Sequence, residues 1–162
     1  MKSGAKIGGV FTVRCWRPNG SLRWEESAHN LVTNEGLDHL LDVLFHGSTQ
    51  VSPWYVGLKG PGAAAADDTL ASHAGWAEIA DYAGNRQEYV EAAAASQVTS
   101  NAANPARFAM NADYTVAGLF LASAATGTSG VLLAVADFAA VRTGHAGDIV
   151  DVTYTVSAAD AG

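Results

Sequence analysis

The chain has one cysteine, Cys15, in 162 residues. An intrachain disulfide and a cysteine-based metal cluster are both excluded, and this usage fits synthesis in a reducing cytoplasm. Lysine is nearly absent; only Lys2, Lys6 and Lys59 occur. No apolar run approaches the roughly 18–20 residues that a membrane-spanning helix needs, so no membrane partner is expected. The N-terminal stretch is a poor signal peptide, because Arg14 interrupts the short apolar run after Lys6, and no secretion is expected. A Gly-x-Ser-x-Gly nucleophile elbow is missing, and Gly8-Gly9 and Gly60-Pro61-Gly62 lack a phosphate-cradling pattern. Neither an enzyme nor a bound cofactor is therefore expected. Heptads, internal repeats and a dividing linker are absent too.

What is present is apolar and small. Hydrophobic residues make up 49% of the chain, and the length suits one domain with a real core. Abundant Ala, Gly, Ser and Thr fit a closely packed assembly subunit and fit a high-GC genome equally well. The net charge of −7 hides an asymmetry. Lys2, Lys6, Arg14, Arg17 and Arg23 stand in residues 1–23 with no acid, whereas the acidic side chains all follow. This basic section either engages an acidic neighbour, such as a second copy of the chain, or lines one solvated strand face. Direct nucleic-acid binding is not expected from so thin a patch on an acidic body.

One stretch, 34–46, reads as a helix. Leu37, Leu40, Leu41 and Leu44 recur at i, i+3, i+4 and i+7, which predicts an apolar stripe packed on a sheet. Thr33 or Asn34 suits the N-cap, Glu35 and Asp38 suit the positive end of the dipole, and Gly47 suits the left-handed residue just past the end. The rest reads as strands and turns. Residues 6–16 predict a strand that buries Phe11, Val13 and Cys15, and Pro18-Asn19-Gly20 predicts a hairpin turn into 21–28. Further strands are expected at 51–58, 86–95, 97–100, 107–111, 114–123, 131–138 and 149–156, with a helical turn at 70–74, a turn at 141–148 and a frayed tail at 157–162. The run 114–123 is the strongest candidate for a central strand. The fold expected is mainly β, an antiparallel β-sandwich or jelly-roll-like domain with one amphipathic helix. The hairpin at 1–28 belongs to the same domain as the core at 29–156.

Few residue groups suit chemistry. His39, Asp42 and His46 lie at i, i+3 and i+7, too long a span for a compact metal pair, and His46 is better read as a partner of the helix C-terminus. Asp67, Asp68, His73 and Glu78 are acidic enough for calcium but lack the ligand spacing of a calcium loop. Cys15 is expected to be a buried, inert thiol. Trp54 and Trp76 can fill core, form a subunit interface or stack a sugar.

The segments 30–42, 47–58, 68–78 and 147–155 of this sequence resemble small structural proteins of tailed bacteriophages. They include Asn30-Leu31-Val32-Thr33-Asn34-Glu35-Gly36-Leu37, Trp54-Tyr55-Val56-Gly57-Leu58 and Asp148-Ile149-Val150-Asp151-Val152. The resemblance implies a virion component, and most closely a head decoration (cement) protein. Its partner would be the major capsid protein, and it would itself be a homo-oligomer, dimer or trimer, on the capsid surface. The interface residues expected are Lys2, Lys6, Arg14, Arg17, Arg23, Trp54 and Trp76. A tail or fibre-associated role and a carbohydrate-binding β-sandwich are the alternatives.

Overall fold

Strand β1, Ala5–Trp16, runs into the predicted turn and returns as β2, Leu22–His29. Gly20 supplies the turn's left-handed residue at φ +83°; Arg17 clamps it, donating from Nη1 to the Leu22 carbonyl at 2.6 Å. The computed structural model describes residues 4–162, so Lys2 lies outside the described residues. Phe11, Val13 and Cys15 are fully buried, as their alternation requires. The other elements are β3 Leu31–Val32, α1 Asn34–Phe45, β4 Trp54–Lys59, β5 Glu78–Ile79, β6 Gln87–Tyr89, β7 Val98–Ser100, β8 Ala106–Ala109, β9 Tyr114–Ala122, β10 Leu132–Gly144 and β11 Ile149–Asp160.

These strands form two antiparallel sheets packed face to face, a β-sandwich. One sheet has the order β2-β1-β11, with β7 and β8 both pairing β11; the other has β3-β10-β9-β4, with β5 and β6 both pairing β4. The core between them holds Phe11, Val13, Leu119, Leu121, Val152 and Tyr154. Tyr154 stacks on Phe11 with ring centroids 4.0 Å apart. Its ring lies over Gly9, where a Cβ would come within 2.5 Å of Cε2. Asn30 turns the chain from one sheet into the other. Its backbone N–H donates to the Gly9 carbonyl and its side-chain amide donates to the Tyr154 hydroxyl at 3.0 Å, so β2 and β3 serve different sheets with no loop between them.

From Val116 to Ala122 strand β9 carries no polar side chain, because both of its faces are covered there. Leu119 and Leu121 point into the sandwich, whereas Phe120 and Ala122 point outward into a second cluster with Leu70, Trp76, Leu132 and Val135. The connection after β4 forms that outer cover. No helical turn forms at 70–74; Thr69 and Ser72 make a local turn instead. Two other expectations are corrected. β10 continues through Val141 to Gly144, leaving a shorter turn before β11. The tail is not frayed from 157, because β11 stays paired with β1 as far as Ala5↔Asp160.

The largest correction concerns α1. Thr33 is its N-cap, with the Thr33 hydroxyl accepting from Gly36 N–H at 2.9 Å and donating to the Leu132 carbonyl at 2.5 Å. Yet Gly36 is the helix's one buried residue; of the stripe, Leu40 is half-buried and Leu37, Leu41 and Leu44 are exposed. The helix approaches β10 through Gly36, where a Cβ would lie 2.3 Å from the Leu133 carbonyl oxygen. Gly36→Ala would gain up to about 1 kcal/mol of helix propensity, but overpacking against rigid backbone costs about 1–3 kcal/mol. A net loss of about 1–2 kcal/mol is expected, read as a lower urea midpoint at unchanged m-value.

Candidate functional site

Two of the described basic residues of the N-terminal section, Arg14 and Arg23, meet an acid of their own chain. Arg14 pairs with Glu25 at 2.6 Å on the surface, and Arg17 holds the hairpin turn. Arg23 reaches Asp148, 125 residues away in sequence, with Nε 2.8 Å and Nη2 3.1 Å from its two carboxylate oxygens. Lys6 is exposed near the start of β1. Arg14 and Arg23 thus carry paired charge, whereas Lys6 and Arg17 have no acidic partner among the described residues.

The tryptophans divide. Trp76 is 5% exposed. It is stacked against His73 with centroids 3.9 Å apart and tilted against Phe120, and its indole N–H donates to Asp68 Oδ2 at 2.9 Å. It therefore offers no open face to a sugar or a subunit, contrary to expectation. Trp54 is half-buried against the core and meets the His39 ring edge-on at 5.6 Å. The acidic segment has separate structural duties. Asp68 accepts from Trp76, while Glu78 forms a two-point ion pair with the buried Arg86 at 2.8 and 2.6 Å. Among the described residues, no group of three or more His, Cys, Asp or Glu side chains is arranged to hold a metal ion.

A buried polar chain joins Cys15, Tyr114, Asp148 and Arg23. Cys15 Sγ is 3.0 Å from the Tyr114 hydroxyl, which donates to Asp148 Oδ2 at 3.3 Å. Burial pushes the Cys15 thiol up to about 11, against the lowering effect of the Tyr114 hydrogen bond. It pushes the Tyr114 hydroxyl up as well. A thiol held in this way is protonated at neutral pH and is a poor nucleophile.

The surface that stands out is the outer side of α1. Its first turn is pinned at several points. The Asn34 N–H donates to the Ala66 carbonyl at 2.8 Å, and Glu35 Oε2 accepts from the Leu70 and Leu132 N–H groups at 3.0 and 2.7 Å. Beyond that turn the helix presents Leu37, Leu41, Leu44 and Phe45, with exposures of 43, 56, 67 and 82%. These positions lie at i, i+4, i+7 and i+8, so they share one side of the helix. Exposed Asp38 and Asp42 run along the border of that side, and exposed Asp67 lies across a hollow that Glu35, Asp38, His39 and Asp42 also line. Periodicity identified the leucines but assigned them to the interior. Phe45, the most exposed of the four, was missed; its offset of eight residues from Leu37 was the available signal.

No protein-family model matches the chain, and no curated protein matches it.

Proposed function

We propose that the chain is a structural component of a tailed-bacteriophage virion, a head decoration protein that binds the capsid surface and bridges neighbouring subunits of the shell. The resemblance of segments 30–42, 47–58, 68–78 and 147–155 to phage structural proteins supports the phage assignment. The observation that carries a binding role is the unpartnered apolar side of α1 on a domain that is otherwise well packed. Monomeric proteins rarely leave such a contiguous apolar face open, and its usual purpose is to meet another protein. On a symmetric shell, many such contacts add through multivalency, so a modest affinity per copy suffices. The buried Trp76 gives the carbohydrate-binding alternative no platform at that position.

The test is fractionation of disrupted virions into heads and tails, followed by detection of the chain and by rebinding of purified protein to undecorated heads. High copy on heads with saturable rebinding is expected. Recovery on tails at low copy, or no affinity for heads, would overturn the decoration role.

A further inference from the structure

We propose that the outer side of α1 docks a cationic, apolar segment of a different protein, one whose leucine-like side chains are bordered by Lys or Arg. The inference rests on the binding role proposed above and names the chemistry of the partner. Leu37, Leu41, Leu44 and Phe45 supply the apolar stripe. Asp38 and Asp42, four residues apart, are neighbours on the helix surface, and like charges at that spacing repel. None of the ion pairs among the described residues neutralises either of them, or Asp67. The last turn of α1 carries no basic residue, so the negative end of the helix dipole adds to the same field beside Phe45. The apolar face is thus framed by uncompensated negative charge, and complementary potential across an interface sets partner choice and docking rate.

A second copy of the chain fits this frame poorly. Arg14, Arg23, Lys59, Arg86, Arg107 and Arg142 are each paired with an acid of their own chain, and Arg17 is held in its hairpin. Among the described basic residues only Lys6 has neither an acidic partner nor a hydrogen bond. Among its described residues, another copy would therefore bring only Lys6, a single cation, to meet Asp38, Asp42 and Asp67. An anionic membrane surface fits no better, because these carboxylates would face lipid phosphates of the same sign.

The test uses the full chain and two labelled amphipathic peptides of equal length, one of leucine and lysine and one of leucine and glutamate. Anisotropy titration is expected to show saturable binding of the leucine–lysine peptide only, weakening as salt rises. Phe45→Ser should weaken it about thirtyfold, the scale of losing one interface anchor, and the double variant Asp38→Asn/Asp42→Asn should also weaken it and flatten its salt dependence. Both sites are exposed, so near-ultraviolet circular dichroism should be unchanged. Equal binding of the two peptides, or of neither, would overturn the proposal. So would a dimer in sedimentation equilibrium that Phe45→Ser abolishes, or binding to phosphatidylglycerol vesicles that Phe45→Ser abolishes. Because no virion is involved, failure on heads with peptide binding intact would remove the head-decoration reading and leave this surface standing.

Discussion

Replacing Phe120 by alanine is expected to lower the unfolding free energy by about 3–5 kcal/mol, the usual cost of emptying an aromatic site in a packed core. Phe120 is 1% exposed on the outer face of β9. The tip of its ring lies over Gly57 of β4, where a Cβ would come within 2.1 Å of Cζ, so the strand beneath has no side chain with which to fill the hole. Trp76 meets it at 5.3 Å and the Arg86 guanidinium at 5.2 Å. Arg86 in turn donates to the Ala124 and Gly127 carbonyls, both at 2.8 Å. Loss of the ring therefore removes support from the loop after β9 and from the cover formed by Leu70 and Trp76. Urea unfolding should show the drop in midpoint, with quenched or shifted tryptophan emission in the native baseline. Phe45→Ala is the contrasting variant. With 82% of Phe45 exposed, a change within about 0.5 kcal/mol is expected. Equal losses for the two variants would mean that α1 packs on the domain in solution.

The second large effect is expected at Asp148. Its side chain is fully buried and receives hydrogen bonds from the His145 backbone N–H at 2.9 Å and from the Tyr114 hydroxyl at 3.3 Å, beside the Arg23 pair. Asp148→Ala would leave Arg23, whose side chain is only 21% exposed, without its anion. Breaking a buried pair from one side costs about 3–5 kcal/mol; the low end is expected here because Arg23 retains some contact with water. Asp148→Asn should cost less, since the amide keeps part of the hydrogen bonding.

The same carboxylate makes stability pH-dependent. Burial by itself would raise its pKa, but the hydrogen bonds from His145, Arg23 and Tyr114 and the charge of Arg23 outweigh burial and hold it below the ordinary 3.8. The folded state thus binds this proton more weakly than the unfolded chain does. The stabilisation is present in full above the unfolded-state value and is lost as pH falls through the folded one. Urea midpoints measured from neutral pH into acid should fall for the wild type and fall less steeply for Asp148→Asn. Parallel curves would show that other carboxylates carry the acid limb.

Period-two alternation was sufficient to place β1 and β11 and to name the buried residues of β1, because a strand with one face in a core must alternate. The hairpin turn and the Thr33 cap were equally legible, since both depend on neighbours within a few residues. The apolar run of β9 announced a strand covered on both faces, although not that a loop carrying Leu70 and Trp76 supplies one cover. Tertiary structure alone decided which way α1 faces. Helical periodicity shows which residues share a side and says nothing about what lies opposite; here the absence of a Cβ at Gly36, against the Leu133 carbonyl, turns that residue inward and leaves Leu37, Leu41, Leu44 and Phe45 outside. The fate of the basic N-terminal section was also decided by the fold. Arg14 found its acid across the hairpin, but Arg23 found Asp148 only because β1 and β11 lie side by side. Local sequence determined the elements, whose hydrogen bonds and caps are local. Packing between distant segments determined the surfaces they leave exposed.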